Sequence, residues 1–107
     1  MATTHKVSIY QIQMKDDAEN KLFQSYNTIV KEFGGIKMSD YTKVHQCNHA
    51  TMEKTTNAIL DEIYARFNGV HPDDYKGRSI SVSDIIVLDS NLYYVDKFGF
   101  KKVDMIM

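Results

Sequence analysis

Two periods of apolar residues alternate along this chain, and each stretch ends at a residue that stops it. Residues 6–14 are rich in β-branched and aromatic types, with Tyr10, Ile12 and Met14 on the even positions and polar residues on the odd ones after Ile9. That pattern predicts a strand with one face buried more deeply than the other. From Asp16-Asp17 the period lengthens: Ala18, Leu22, Tyr26, Ile29, Val30 and Phe33 recur at helical spacing as far as Gly34-Gly35. A helix is expected there, with acids capping its start, Lys31 in the last turn and glycine at its exit.

Residues 41–47 predict a short, half-polar second strand, and Asn48 or Thr51 stands where a second helix could be capped. In that helix Ile59, Leu60, Ile63, Tyr64 and Phe67 share one face before Asn68-Gly69. Pro72 then disfavours helix for His71 and sets up a turn. The run Ile85-Ile86-Val87-Leu88 reads as a central strand covered on both faces. Asp89-Ser90-Asn91 reads as a turn, residues 92–96 as the returning hairpin strand, and Gly99 as a bend before a last segment at 101–106. The order β-α-β-α-β-β-β predicts an α+β fold, with two helices packed on one face of a mainly antiparallel sheet.

Composition narrows the function classes. The 107 residues suit a single domain spanning 1–107, without internal repeat or low-complexity linker. A net charge of −1 leaves no basic excess for gripping nucleic acid by phosphate neutralisation, so direct nucleic-acid binding is not expected. It also leaves too little acidity for a mimic of DNA. The one cysteine, Cys47, cannot form an internal disulfide. Met1-Ala2-Thr3-Thr4-His5-Lys6 lacks an apolar leader, and no apolar run reaches the ~20 residues of a membrane span, so a cytoplasmic protein is expected.

Three groups of residues invite a chemical reading. His45, Cys47 and His49 alternate and would point to one side of a strand, but zinc sites draw on separated ligand pairs, which would require His5 or His71 as well. The simpler expectation is a small buried thiol between two exposed imidazoles, with no metal. His71, Asp73, Asp74, Arg78, Ser81, Ser83 and Asp84 bring acid, base and hydroxyl close in sequence, yet a turn at Pro72-Asp73-Asp74 and pairing of Arg78 with Asp74 or Asp84 explain them without catalysis. Tyr93, Tyr94, Phe98 and Phe100, with Lys97, Lys101 and Lys102, could form a stacking surface for a single nucleic-acid strand, or simply be half-buried sheet residues. No glycine-rich dinucleotide loop, Walker motif or His-Glu-x-x-His is present, so no cofactor is expected.

The stretch Ile63-Tyr64-Ala65-Arg66-Phe67-Asn68, followed by His71-Pro72-Asp73-Asp74-Tyr75-Lys76-Gly77-Arg78-Ser79-Ile80-Ser81-Val82-Ser83-Asp84-Ile85-Ile86, resembles the core signature of the YodL-like domain family. Val7-Ser8-Ile9-Tyr10-Gln11-Ile12, Tyr93-Tyr94-Val95-Asp96 and Phe98-Gly99-Phe100 resemble it further. The resemblance implies a small accessory module of Gram-positive bacteria, their phages and conjugative elements, with no catalytic mechanism attached and the actin-like cytoskeleton as a suggested partner class. It makes His71, Asp73, Asp74, Tyr75, Lys76, Arg78, Ser83 and Asp84 the candidate binding residues, in a polar crossover anchored by Ile63 and Phe67 and tied by Arg78 and Asp84. The expected function is non-enzymatic and stoichiometric: binding to a bacterial protein as a host-takeover or anti-defence inhibitor of the anti-CRISPR type, whose target is a defence nuclease effector. A modulator of the cytoskeleton is the alternative, followed by a small hydrolase or nuclease on the His71–Asp74 loop. A hairpin edge leaves self-association open.

Overall fold

The computed structural model describes residues 2–12, 21–68 and 79–103. Strand β1 (Thr3–Ile12) runs antiparallel to β2 (Tyr41–Thr51) over its whole length, from Thr3 opposite Thr51 to Ile12 opposite Tyr41. Ile9 faces His45 while Tyr10 faces Lys43, so Val44 is the extra residue of a bulge that bends β2. On its other side β1 pairs with β3 (Ile85–Leu88), which forms a hairpin with β4 (Asn91–Val95); β4 in turn pairs with β5 (Phe100–Val103). The sheet order is β2-β1-β3-β4-β5, all antiparallel, with the apolar run Ile85–Leu88 as the central strand.

The α+β class and the element order are those expected, but the two helices do not share a face. Helix α1 (Tyr26–Phe33) sets Ile29 in a cluster with Ile12, Ile85 and Tyr94. Helix α2 (Thr56–Arg66) sets Ile59, Leu60 and Ile63 in another with Val7, Ile9 and Ile86. Ile85 and Ile86 are successive residues of one strand and therefore point to opposite faces. The sheet lies between the helices, which explains why the central strand is apolar on both sides. Leu60, Ile63 and Phe67 are wholly buried, each contributing about 1.5–3 kcal/mol of transfer free energy.

Both helices begin later than the sequence pattern implies. Residues 21–23 form a turn in which Phe23 has a φ of 63°, so Leu22 precedes the helix; Asp16 and Asp17 lie outside the described residues. Ser25 caps α1, its hydroxyl accepting from the Thr28 N–H, and Gly34 ends it with a φ of 79° and its N–H on the Val30 carbonyl. The acid at the start of α1 comes from elsewhere in the chain: Asp96 accepts from the Tyr26 N–H. Strand β2 continues through Asn48 to Thr51, and the cap of α2 is Thr55, which accepts from the Ala58 N–H at 3.2 Å.

Two hairpin loops complete the frame. Asp89 and Ser90, with φ of 50° and 82°, form the two-residue β3–β4 turn, whose double left-handed backbone matches the twist of the strands. Asp89 holds it to β1 by accepting from the Lys6 N–H and pairing with His5. The β4–β5 loop spans residues 96–99, closed by the Asp96 N–H on the Gly99 carbonyl at 3.1 Å, with Gly99 at a φ of 78°. No helix among the described residues is long and apolar enough to cross a membrane.

Candidate functional site

Of the candidate binding residues, His71, Asp73, Asp74, Tyr75, Lys76 and Arg78 lie outside the described residues, while Ser83 and Asp84 lie within them. The flanks of the motif meet: the Ile80 N–H donates to the Phe67 carbonyl at 3.3 Å, and both side chains are buried. A turn follows, with the Asp84 N–H on the Ser81 carbonyl at 3.1 Å and Ser83 in its third place with a φ of 88°. Glycine usually fills that conformation, so serine here bears backbone strain.

What holds Ser83 in place is a bond from each of its polar groups. Its N–H donates to the Val95 carbonyl at 2.9 Å, its hydroxyl accepts from the Phe23 N–H at 3.1 Å, and its carbonyl accepts from the Tyr41 hydroxyl at 2.6 Å. Asp84 accepts through Oδ2 from the Ser81 N–H at 2.9 Å and from the Gln11 amide at 3.0 Å. Burial, then the charges of Tyr94, Asp84 and Asp40, push the Tyr41 hydroxyl far above its ordinary value. Tyr41 is therefore a fixed donor and not an acid for chemistry near neutral pH. Ser83 and Asp84 are 0% exposed. Their side chains cannot meet a partner; they fix the end of the motif to β1, β2 and β4.

His45, Cys47 and His49 do point to one side of β2, but the imidazoles are buried, at 7% and 8% exposure, where exposed rings were expected. Helix α2 covers them. The His45 ring packs on Phe67 with centroids 5.1 Å apart. His49 Nε2 lies 3.0 Å from Glu62 Oε1 and its Nδ1 3.3 Å from Arg66 Nη1, an arrangement that suits the tautomer protonated at Nε2. The same guanidinium approaches Cys47 Sγ at 3.7 Å and lies over Phe67. Thr51 and then His49, by hydrogen bonding, hold the Glu62 carboxyl below its usual range. Among the described residues no group of three or more His, Cys, Asp or Glu could hold a metal ion.

The aromatic and basic residues of the last hairpin do not form one stacking surface. Tyr94 is buried toward α1, whereas Tyr93, its neighbour, faces the α2 side, and Lys101 lies over the Tyr26 ring with Nζ 5.5 Å from the centroid. Phe98 stands apart from them, 96% exposed at the tip of the β4–β5 loop. Beside the tip a groove of about 230 Å³ opens between that hairpin and α2, with walls formed by Asp61, Tyr64, Val95, Asp96, Lys97 and Phe100. Tyr64 and Phe100 meet edge to face, 6.4 Å between centroids. The loop is held from inside: Asp96 Oδ1 accepts from both the Lys97 and Tyr26 N–H groups. Sequence reasoning named Phe98, Phe100 and Lys97 but missed Asp61 and used Tyr64 only as a core residue. The available signal was their i, i+3 spacing at the border of the apolar face of α2.

Comparison with known proteins places this arrangement in a family. The model of the YodL-like domain matches residues 6–105, from the first strand past the last. The chain belongs to the YodL-like domain family. A relative of this YodL-like domain is the uncharacterized protein R785 of Acanthamoeba polyphaga mimivirus, 32% identical over 106 residues that cover 92% of this chain and 93% of the relative. No solved structure matches. The groove and the loop Asp96–Gly99 lie within the matched span of the domain.

Proposed function

We propose that this YodL-like domain is a non-enzymatic module that acts stoichiometrically by binding another protein, and that the end of the β4–β5 hairpin is part of its contact surface. The observation that carries the reading is Phe98: a large apolar side chain left 96% exposed on a loop that Asp96 pins to helix α1. Aromatic anchors on pre-ordered loops are efficient contacts, because little conformational entropy is lost when they bind. The groove next to Phe98 supplies a concave neighbour for the same contact. With a net charge of −1, docking rests on shape and aromatic anchoring and not on imitation of a nucleic acid.

The partner is proposed to be a host protein met by a phage or mobile element, first a nuclease effector of bacterial defence and second an actin-like cytoskeletal protein. The mimivirus relative supports a viral setting without naming a partner. Affinity capture from a bacterial host lysate, with wild type and Phe98→Ala side by side, tests the binding reading. One host protein captured by wild type and lost with the folded variant is the expected result; equal capture by both would remove the hairpin end from the contact. Restored plaque formation on an immune host then supports the anti-defence partner, and rounding of rod-shaped cells the cytoskeletal one.

A further inference from the structure

We propose that the Thr3 hydroxyl is an acyl-acceptor site, at which the chain takes one short, uncharged acyl group from a thioester or an equally activated ester. The site lies at the opposite end of β4 from Phe98, beside the β3–β4 turn, so it goes beyond the binding reading and does not depend on it. Thr3 and His5 are alternate residues of β1 and share one face of the strand. Their side chains meet, with Thr3 Oγ1 3.1 Å from His5 Nε2. At the other nitrogen of the ring, His5 Nδ1 is hydrogen-bonded to Asp89 Oδ2, while Asp89 Oδ1 accepts from the Lys6 N–H at 3.0 Å. Hydroxyl, imidazole and carboxylate follow one another in the order of a nucleophile, its base and the group that orients the base.

The hydrogen bond from His5, and after it that from the Lys6 N–H, holds the Asp89 carboxyl below its usual range. Asp89 is therefore an ionised acceptor at neutral pH, and the proton of the neutral ring sits on Nδ1. That leaves Nε2 to accept from the Thr3 hydroxyl, whose residue is exposed. A cavity of about 290 Å³ adjoins the pair, walled by Thr3, His5, Met52, Glu53, Lys54 and Ile59. It falls just below the range of about 300–1,000 Å³ typical of small-molecule pockets, which limits the occupant to a short chain. Met52 and Ile59 supply apolar surface and the charges of Glu53 and Lys54 cancel, so the cavity suits an uncharged acyl group. In the reaction the Thr3 oxygen attacks the acyl carbonyl while its proton passes to His5 Nε2. The carbon–sulfur bond of a thioester donor then breaks and the departing sulfur takes the proton from Nε2, giving an ester on Thr3 and a free thiol. Asp89 is a positioning residue that acts through the ring.

The probe is p-nitrophenyl butyrate, an activated ester with a coloured leaving group, added in excess to the intact protein. A burst of one nitrophenolate per chain is expected, with a butyryl group on Thr3 in peptide mass spectrometry. Hydroxylamine should release that group, as it does from an ester and not from an amide. Thr3→Val should abolish the burst and Thr3→Ser should retain it; Thr3 is exposed, so both substitutions leave the fold intact. The burst should slow by about a hundredfold in His5→Gln, and by about tenfold in Asp89→Asn at saturating ester with the half-saturating concentration unchanged. Butyrylation of lysines alone, steady release without an ester on Thr3, or an equal burst from Thr3→Val would overturn the site. An unchanged burst rate in Asp89→Asn would overturn the role of the carboxylate.

Discussion

The turn at Ser81–Asp84 and the loop at Asp96–Gly99 are both short, polar and adjacent to β4, yet they spend their polar groups in opposite ways. In the first, the polar groups of Ser83 and the Asp84 carboxylate are turned inward onto Phe23, Tyr41, Val95, Ser81 and Gln11, and no side chain of the pair reaches solvent. In the second, one oxygen of Asp96 orders the backbone while Phe98, Lys97 and Asp61 across the groove are left facing water. Ser83 and Asp84, the described end of the polar run, therefore mark a junction of the fold, and the binding surface proposed here lies on the other loop. Inward-facing polar groups make uniqueness; outward-facing aromatic groups on a fixed loop make contacts.

Substitutions sharpen that contrast in order of their effect on stability. Asp84→Ala removes a buried carboxylate and strands the Gln11 amide and the Ser81 N–H, so a loss of about 3 kcal/mol is expected in urea unfolding. A loss below about 1 kcal/mol would mean that the carboxylate does not hold the junction. Ser83→Ala keeps the strained backbone and deletes the acceptor of the Phe23 N–H, for an expected loss of about 1–2 kcal/mol. Ser83→Gly deletes the same acceptor but relieves the positive φ, so it should unfold later than Ser83→Ala; the reverse order would refute strain at this turn.

Acid should act on the other regions more weakly. Thr51 and His49 lower the Glu62 carboxyl, and His5 and the Lys6 N–H lower that of Asp89. A carboxyl whose folded value is depressed stabilises the fold above its unfolded value of about 4 and loses that contribution as pH falls through the folded one. Urea midpoints should therefore decline on acidification from about pH 5 to pH 3, and Glu62→Gln should make the decline shallower. An unchanged slope in Glu62→Gln would remove the Thr51–His49–Glu62 contacts as a source of the pH dependence.

Much of the fold was legible in local patterns, and the misses share a cause. The run Ile85–Leu88 reveals the central strand because burial on two faces leaves no polar alternation. The same observation argues against placing both helices on one face, since Ile85 and Ile86 each need a cover. Local periodicity carries no information about which side of the sheet a connection takes. The start of α1 was misplaced because its acidic partner, Asp96, is 70 positions away from Tyr26. His45 and His49 were expected to be exposed because only the packing of α2 over β2 brings Phe67, Glu62 and Arg66 to them. Of the site, Phe98 was legible as an aromatic at a bend, whereas the groove arises from α2 and the hairpin meeting across the fold.

The smallest expected change in stability belongs to the substitution with the largest expected change in binding. Phe98→Ala should shift unfolding by no more than about 0.5 kcal/mol, because its side chain is already in water. Quantitative capture of the host protein by wild type and by Phe98→Ala, at matched folded concentration, tests the central claim most directly. A fall of tenfold or more with an unchanged urea midpoint is the predicted result, and undiminished capture by the folded variant would contradict it.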